Sequence, residues 1–320
     1  MAKHHLRNKL QLYRDRCPTL ECLAKAVVAM TDGCRPCVFI WAVLLLLPTV
    51  IMAYRPVILV HGLFGGPEQM ATLKKYIKRS HPGTSVTAIS LYDGDASVKP
   101  MWEQVDGFRK AIKPIMERAK DGVHLICFAQ GGLICRGVLA TLPHHNVHSL
   151  ILVSSPLAGH YGDSKYISKF FPSLSKSTLY NACYTTQGQK RSSCSYWKDP
   201  HQIEKYLKYS VFLAPLNGEV KNAKSKAWRK NFLRIKTMVL LGGPDNEVIK
   251  PWQSSMFGFY DSDENVIDME HQDFYVNDAF GLKTLNRREA IVKCIVPGVK
   301  HNAWPKNHKI YKKCIEKWLT

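Results

Sequence analysis

The chain has 320 residues, of which 46% are hydrophobic and 22% are charged. This length and apolar content exclude a disordered chain and suffice for a single α/β domain of about 250 residues. Residues 1–53 hold seven Lys and Arg and three Asp and Glu, which leaves 38 basic and 22 acidic residues, a formal +16, on residues 54–320. No concentrated basic run or nucleic-acid motif accompanies this charge, so no nucleic-acid partner is predicted, whereas contact with an acidic membrane surface is compatible with it.

The N-terminal extension, residues 1–53, ends in an uncharged apolar run at 38–53, VFIWAVLLLLPTVIMA. The length of this run and its small last residue, Ala53, predict the core of a secretory signal sequence, and an uncleaved membrane anchor is the alternative. Translation from Met30 would explain the long polar stretch ahead of the run. We therefore predict an N-terminal extension with a signal sequence, followed by one folded domain at 54–320.

Ten cysteines are divided between these two parts, four in the extension and six in the folded domain. An even number behind an export signal predicts disulfides in an oxidising compartment, although spacing alone allows 15 pairings of six cysteines. The Cys34-x-x-Cys37 spacing in the extension has no second ligand pair, so no metal site is predicted. The chain contains no Asn-x-Ser/Thr sequon, and N-glycans are therefore not predicted.

From Tyr54 onwards, apolar β-branched runs alternate with helical patterns. The predicted elements are strands at 56–62, 84–91, 123–129, 147–156 and 237–243, and helices ending near Ser80 and at 101–120 and 131–142. Buried strands separated by helices of this length predict an α/β fold with a mostly parallel central sheet and helices on both faces. The pattern weakens at about 156–235, which predicts a lid-like insertion above the carboxyl ends of the strands.

Residues 123–132 read VHLICFAQGG, a buried strand that enters a helix through small residues. α/β-Hydrolases present their nucleophile on such a sharp turn, with the signature G-x-S-x-G. Only the downstream glycine, Gly131, matches here, and the nucleophile position holds Ala129. A His-Gly loop upstream, and an acidic turn followed by a histidine downstream, agree with the hydrolase chain order. The pattern predicts an α/β-hydrolase fold that lacks its usual nucleophile.

Several segments together resemble the palmitoyl-protein thioesterases, a family of lysosomal α/β-hydrolases that cleave S-acyl thioesters such as palmitoyl-CoA. They include RPVILVHGLFGG at 55–66, GVHLICFAQGGLICR at 122–136 and LLGGPDNEVIKPWQSSMFGFYDS at 240–262. The similarity runs from about Tyr54 to Thr320 without large gaps. The resemblance implies a lysosomal or secreted protein, an acyl thioester or long-chain lipid as its partner, and no cofactor.

The family's functional residues can be placed on this sequence one by one. The nucleophilic serine falls at Ala129, the catalytic aspartate at Asn246, and the histidine at His301. The resemblance implies an oxyanion hole made by the backbone N–H groups of Leu63 and Gln130. It also implies three disulfides, Cys127 with Cys135, Cys183 with Cys194, and Cys294 with Cys314.

Two of the three triad positions therefore depart from the family. Alanine has no hydroxyl, so no acyl-enzyme can form at Ala129. Asparagine at 246 favours the wrong imidazole tautomer and cannot stabilise an imidazolium. A laboratory Ser-to-Ala substitution would explain Ala129, but the second change, at Asn246, favours natural loss. We predict a catalytically impaired relative that binds acyl thioesters or long-chain lipids; a low-activity thioesterase and a non-catalytic interaction protein are the alternatives.

Other groups are candidates to replace the missing ones. Asp245 is the candidate substitute acid, because it lies next to the acid position. Ser154 and Ser155 follow a different strand and lack the elbow, which makes them poor candidate nucleophiles. The two-residue period predicts that Cys127 faces the same side as the elbow residue, but the implied disulfide would quench it. Water activated by His301 is the remaining route.

Overall fold

The computed structural model describes residues 54–164, 168–169 and 171–320. The predictions of a signal core at 38–53 and of a start at Met30 lie outside the described residues. Within the described ranges, no helix is both long and apolar enough to cross a bilayer.

A six-stranded sheet forms the centre of the domain. Its strands are β1 (Val57–Val60), β2 (Val86–Ala88), β3 (Val123–Phe128), β4 (Val147–Val153), β5 (Thr237–Gly242) and β8 (Ile291–Ile295), while β6 (Phe259–Tyr260) and β7 (Val266–Ile267) form a separate antiparallel pair. The order in the sheet is β2-β1-β3-β4-β5-β8, and all neighbours are parallel. The prediction of a mostly parallel sheet is confirmed.

Helices connect the strands and cover the sheet. They are α1 (Ala71–Ser80), α2 (Met101–Arg118), α3 (Gln130–Thr141), α4 (Tyr180–Cys183), α5 (Ser192–Ser195), α6 (Ile203–Tyr209), α7 (Leu213–Asn217), α8 (Ser225–Phe232), α9 (Asp273–Val276), α10 (Leu282–Arg287) and α11 (His308–Ile310). Short 3-10 turns include His301–Lys306, and a π-helical turn spans Tyr311–Ile315.

The sequence pattern misses one strand of the sheet, β8. This strand is half exposed and includes Lys293, so it lacks the continuous apolar run that marks the central strands. Among the described strands it lies at the edge of the sheet and pairs with β5, with Met238 opposite Ile291 and Gly242 opposite Ile295. β8 matters for the site because it carries the chain to His301.

Two apolar cores lie on the two faces of the sheet. On one face, Leu125 and Cys127 of β3 belong to a cluster with residues of α2 and α3 such as Phe108. On the other face, Ile126 and Phe128 pack with residues of α1 and of the C-terminal segment. Both faces are therefore covered by helices, as predicted, and this explains why the central strands are predominantly apolar.

Three disulfides connect the elements in the pairs that the resemblance implies. Cys127–Cys135 joins β3 to α3, Cys183–Cys194 closes a loop of the insertion, and Cys294–Cys314 joins β8 to the C-terminal π-helical turn.

The prediction that Cys127 faces the same side as Ala129 is wrong. Cys127 belongs to the core on the α2 and α3 face, whereas Ala129 belongs to the core on the opposite face. The backbone of Ala129 has a φ of +50°, which ends the extended conformation and so breaks the two-residue alternation.

Three buried histidines, His124, His145 and His160, should make folding stability depend on pH. Burial is the main reason that each has its pKa lowered to about 4, whereas the pKa in an unfolded chain is about 6.5. Between these values the unfolded chain binds more protons, so stability falls as pH falls below about 6.5. We expect each histidine to remove about 2 kcal/mol of unfolding free energy between pH 7 and pH 5.

Urea unfolding of His145→Gln at pH 7 and pH 5 tests this expectation, because its pH-dependent loss should be about 2 kcal/mol smaller than that of the native protein. His144→Gln changes the exposed neighbouring residue and is the matched control. An equal pH dependence in both variants would contradict the role of burial.

Candidate active site

A strained turn at Ala129 joins β3 to α3. Ala129 has φ +50° and ψ −123° and caps the N-terminus of α3. A non-glycine residue in this region costs about 1–3 kcal/mol and persists only where the surroundings enforce it. The N–H of Ala129 donates to the carbonyl oxygen of Val153 at 2.9 Å, which holds the turn against the end of β4. The geometry of a nucleophile elbow is therefore present although the residue at its tip has no nucleophilic group.

Two glycines allow the elbow to approach the loop after β1. A Cβ atom added at Gly131 would lie 2.3 Å from the carbonyl oxygen of His61, and one added at Gly62 would lie 2.8 Å from the Cβ of Ala129. Real Cβ atoms do not approach other atoms this closely. The missing side chains thus bring α3, the elbow and the His-Gly loop into direct contact.

The two residues predicted to form an oxyanion hole, Leu63 and Gln130, line the same cleft as Ala129. Gln130 is the first residue of α3, so its N–H is one of those that no carbonyl within the helix can accept. Its side chain is held on both sides: Nε2 donates to the carbonyl oxygen of Ser97 at 2.8 Å, and Oε1 accepts the hydroxyl of Tyr196 at 3.2 Å. These contacts hold the first turn of α3 in place.

His301 follows β8 and begins a 3-10 turn. It is 3% exposed, and its backbone N–H donates to Oε2 of Glu247 at 3.0 Å. Its ring packs against Phe128 with 4.9 Å between the ring centroids. The ring atom Nδ1 lies 3.1 Å from Oγ of Ser154. The imidazole is thus held from the backbone, from one ring face and from Nδ1.

Asn246 lies in the turn after β5, is 1% exposed, and reaches His301 through a third residue. Its Oδ1 accepts the backbone N–H groups of Val248 and Ile249, both at 3.0 Å, and its Nδ2 donates to Oγ of Ser154 at 2.5 Å. Hydrogen bonds therefore connect Asn246 to Ser154 and Ser154 to His301 in the buried part of the site.

Ser154 belongs to the site, although the sequence pattern indicates it only as a poor candidate nucleophile. Ser154 directly follows β4, which lies between β3 and β5 in the sheet, and its N–H donates to the carbonyl oxygen of Leu241 at 2.7 Å. Its φ of +51° is the same kind of strained backbone as that of Ala129. The signal that could have found it is the order of the strands, which places the ends of β3, β4 and β5 side by side.

Asp245, the candidate substitute acid, has another partner. Its Oδ2 accepts the backbone N–H of Gly298 at 2.6 Å. The hydrogen bonds and ion pairs of the described residues do not join Asp245 to His301. In this conformation Asp245 holds the loop before His301 and makes no contact that would make it the acid.

The cleft at the elbow has an empty volume of about 490 Å³, including space open to solvent. Its walls combine apolar residues, such as Val248 and Ile249 after β5, with Pro156, His160 and Tyr196 from the insertion. Among the described residues there is no cluster of three or more His, Cys, Asp or Glu that could hold a metal ion.

The parallel sheet, the strained elbow after β3 and the histidine after β8 define an α/β-hydrolase. A family model described as palmitoyl protein thioesterase matches residues 56–301. The chain belongs to the palmitoyl protein thioesterase family.

Several relatives, all named lysosomal thioesterase PPT2, align with most of the chain. The lysosomal thioesterase PPT2 of Rattus norvegicus is 52% identical over 290 residues, which is 88% of this chain and 96% of that protein. The protein of this name from Bos taurus is 53% identical over 84% of this chain and 88% of that protein. The one from Homo sapiens is 51% identical over 88% of this chain and 96% of that protein. A solved lipase of Bacillus licheniformis, BlEst2 in its mature form, is similar with a TM-score of 0.47 and 16% identity, over 84% of this chain and 93% of that chain.

Proposed function

We propose that this member of the palmitoyl protein thioesterase family binds long-chain acyl thioesters or related lipids without turning them over efficiently. The observation that carries the proposal is a formed nucleophile elbow, opening into a cleft, whose tip is Ala129. The fold is that of an α/β-hydrolase, while the atom that would attack the thioester is missing.

Impaired turnover follows from the chemistry of the two altered positions. Without a hydroxyl at Ala129 no covalent acyl intermediate can form, and the proton that His301 would take is absent. In serine proteases, loss of the nucleophile alone removes about 10⁶ in turnover, and replacing the aspartate by asparagine removes about 10⁴. These losses overlap, because the residues act as one unit, and either is sufficient to impair the reaction.

Retained binding is supported by the parts of the site that do not depend on the nucleophile. Val248 and Ile249 supply apolar surface, and Leu63 and Gln130, whose N–H groups are the proposed donors for a carbonyl oxygen, line the same cleft. The insertion adds Pro156 and Tyr196 to the wall of the cleft, which supports its proposed role as a lid over the ligand. An acyl chain with an oxygen at its head group suits this combination of surfaces.

The proposed location is the lysosome or the secretory route to it. The relatives are named lysosomal thioesterases, and the three disulfides suit an oxidising compartment. The formal charge of +16 on residues 54–320 supports attraction of polyanionic acyl-CoA or of acidic membrane surfaces. A signal sequence with its core at 38–53 is the proposed means of entry.

The test is to incubate the purified protein with palmitoyl-CoA and to measure free thiol and retained ligand in the same samples. We expect retention without thiol release. Val248→Arg places a charge in the apolar wall and should weaken retention by at least about tenfold, because a buried unpaired charge is costly. Val211→Arg makes the same replacement at a residue that is 52% exposed, outside the cleft, and should leave retention unchanged.

The other outcomes identify the alternatives. Thiol release by the native protein that disappears in His301→Ala would show a low-activity thioesterase that uses water or an unforeseen nucleophile. Absence of both release and retention would leave a non-catalytic interaction protein. Equal retention by Val248→Arg and the native protein would show that the ligand binds elsewhere.

A further inference from the structure

The hydrogen bonds from Asn246 to His301 have a direction that their donors and acceptors determine. The Asn246 amide has one orientation, because its Oδ1 accepts the N–H groups of both Val248 and Ile249. Its Nδ2, which can only donate, therefore faces Oγ of Ser154 at 2.5 Å. Ser154 must accept this hydrogen bond, so its own proton is available for another partner.

His301 is that partner. Ser154 is fully buried, and among the described residues the second atom within hydrogen-bond distance of its Oγ is Nδ1 of His301, at 3.1 Å. If Nδ1 carried a proton, the serine hydroxyl would become a buried donor without an acceptor. Losing this hydrogen bond would favour the tautomer with its proton on Nε2 by roughly tenfold or more. A neutral imidazole therefore accepts from Ser154 at Nδ1 and carries its proton on Nε2.

We propose that Asn246, acting through the positioning residue Ser154, holds His301 in the Nε2–H tautomer and thereby makes the imidazole a hydrogen-bond donor instead of a base. A carboxylate at position 246 would reverse the chain, because it accepts from Ser154, whose Oγ would then accept from Nδ1–H of His301. In that change the imidazole loses its proton at Nε2 and gains one at Nδ1 by exchange with water, so the number of protons stays the same.

The tautomer has a consequence for the ligand, and this part rests on the proposed function. Because Nδ1 faces Ser154, Nε2 is the ring nitrogen that a group bound in the cleft would meet. The elbow then offers Nε2–H of His301 as a donor beside the backbone N–H groups of Leu63 and Gln130, the proposed oxyanion donors. Donors of this kind select an acyl compound by its carbonyl or carboxylate oxygen.

Nitrogen NMR of the histidine side chains tests the tautomer without any ligand. Protein labelled with ¹⁵N-histidine would be followed through a pH titration, so that the neutral form of each ring is read, and His301→Gln would assign the signals of His301. We expect Nε2–H in the native protein, Nδ1–H in Asn246→Asp, and a mixture of both in Ser154→Ala. Nδ1–H in the native protein, or Nε2–H retained in either variant, would overturn the proposal.

His160 is an internal control in the same spectra. Its Nδ1 accepts the backbone N–H of Lys250 at 3.2 Å, and its Nε2 faces the carbonyl oxygen of Gly162 at 3.1 Å. These backbone groups set the Nε2–H tautomer of His160 independently of residues 154 and 246. An unchanged His160 signal therefore shows that a variant is folded, so that a changed His301 signal reports the hydrogen-bond chain and not a loss of structure.

The ligand part is tested by comparing palmitoyl-CoA, palmitate and the hexadecyl thioether of CoA, which has no acyl oxygen. We expect the native protein to bind the thioether at least about tenfold more weakly than palmitoyl-CoA, the value of one or two good hydrogen bonds. Asn246→Asp should reduce this difference, and palmitate shows whether a free acid suffices. Equal binding of the two CoA compounds would contradict the donor role of His301. Failure of all three compounds to bind would contradict the proposed function, but it would not affect the tautomer measured by NMR.

Discussion

Ala129→Ser combined with Asn246→Asp should convert the protein into an active thioesterase. The elbow already has the backbone that presents a nucleophile, and His301 is already buried and oriented. The double variant supplies the missing oxygen and the missing negative charge. We expect thiol release from palmitoyl-CoA to rise by roughly 10⁴–10⁶-fold over the native protein. This is the loss in turnover that results when triad residues are removed from other serine hydrolases.

The single variants separate the two contributions. Ala129→Ser alone should be about 10⁴-fold less active than the double variant, because Asn246 leaves His301 in the tautomer that cannot accept the serine proton. Asn246→Asp alone should gain nothing, since it has no nucleophile. Mass spectrometry should detect a covalent palmitoyl group on the double variant, and adding His301→Ala should abolish turnover. Full activity of Ala129→Ser alone would show that position 246 does not control the reaction.

Lys198→Met should cost about 3–5 kcal/mol of unfolding free energy, because it leaves a carboxylate buried without its cation. Lys198 Nζ lies 2.5 Å from Oε1 of Glu219, and the two side chains are only 8% and 11% exposed. The hydroxyl of Tyr206 donates to the other carboxylate oxygen. Burial and the adjacent Glu219 raise the pKa of Tyr206, so this hydroxyl stays protonated and cannot replace the cation.

Urea unfolding at neutral pH measures this loss. Lys293→Met is the matched control, because it breaks an ion pair with Glu270 whose side chains are 34% and 40% exposed, and it should cost at most about 1 kcal/mol. Replacing both members of the buried pair, as in Lys198→Met with Glu219→Gln, should recover only part of the stability. The uncompensated carboxylate is removed, but the buried Arg136, which also interacts with Glu219, then loses its carboxylate partner. Similar small losses in both single variants would show that the buried pair contributes little.

Much of the fold could be predicted from local pattern. The strands β1, β3, β4 and β5 are buried on both sides, so each contains an uninterrupted apolar run that is visible without knowing its neighbours. β8 was missed because it is half exposed at the edge of the sheet and Lys293 interrupts its short apolar sequence. The short helices of the insertion could not be predicted, because α4 and α5 have only four residues each and depend on tertiary contacts for their stability.

What the sequence alone determined is the chemical content of the site: the elbow with Ala129 at its tip, asparagine at position 246 and a histidine at 301. A missing hydroxyl and a missing charge are properties of residue type, so they can be known without coordinates. Only the tertiary structure decided which groups touch. It placed Ser154 between Asn246 and His301 and placed Asp245 against Gly298, because hydrogen bonds between residues far apart in the chain depend on the order in which the strands pack.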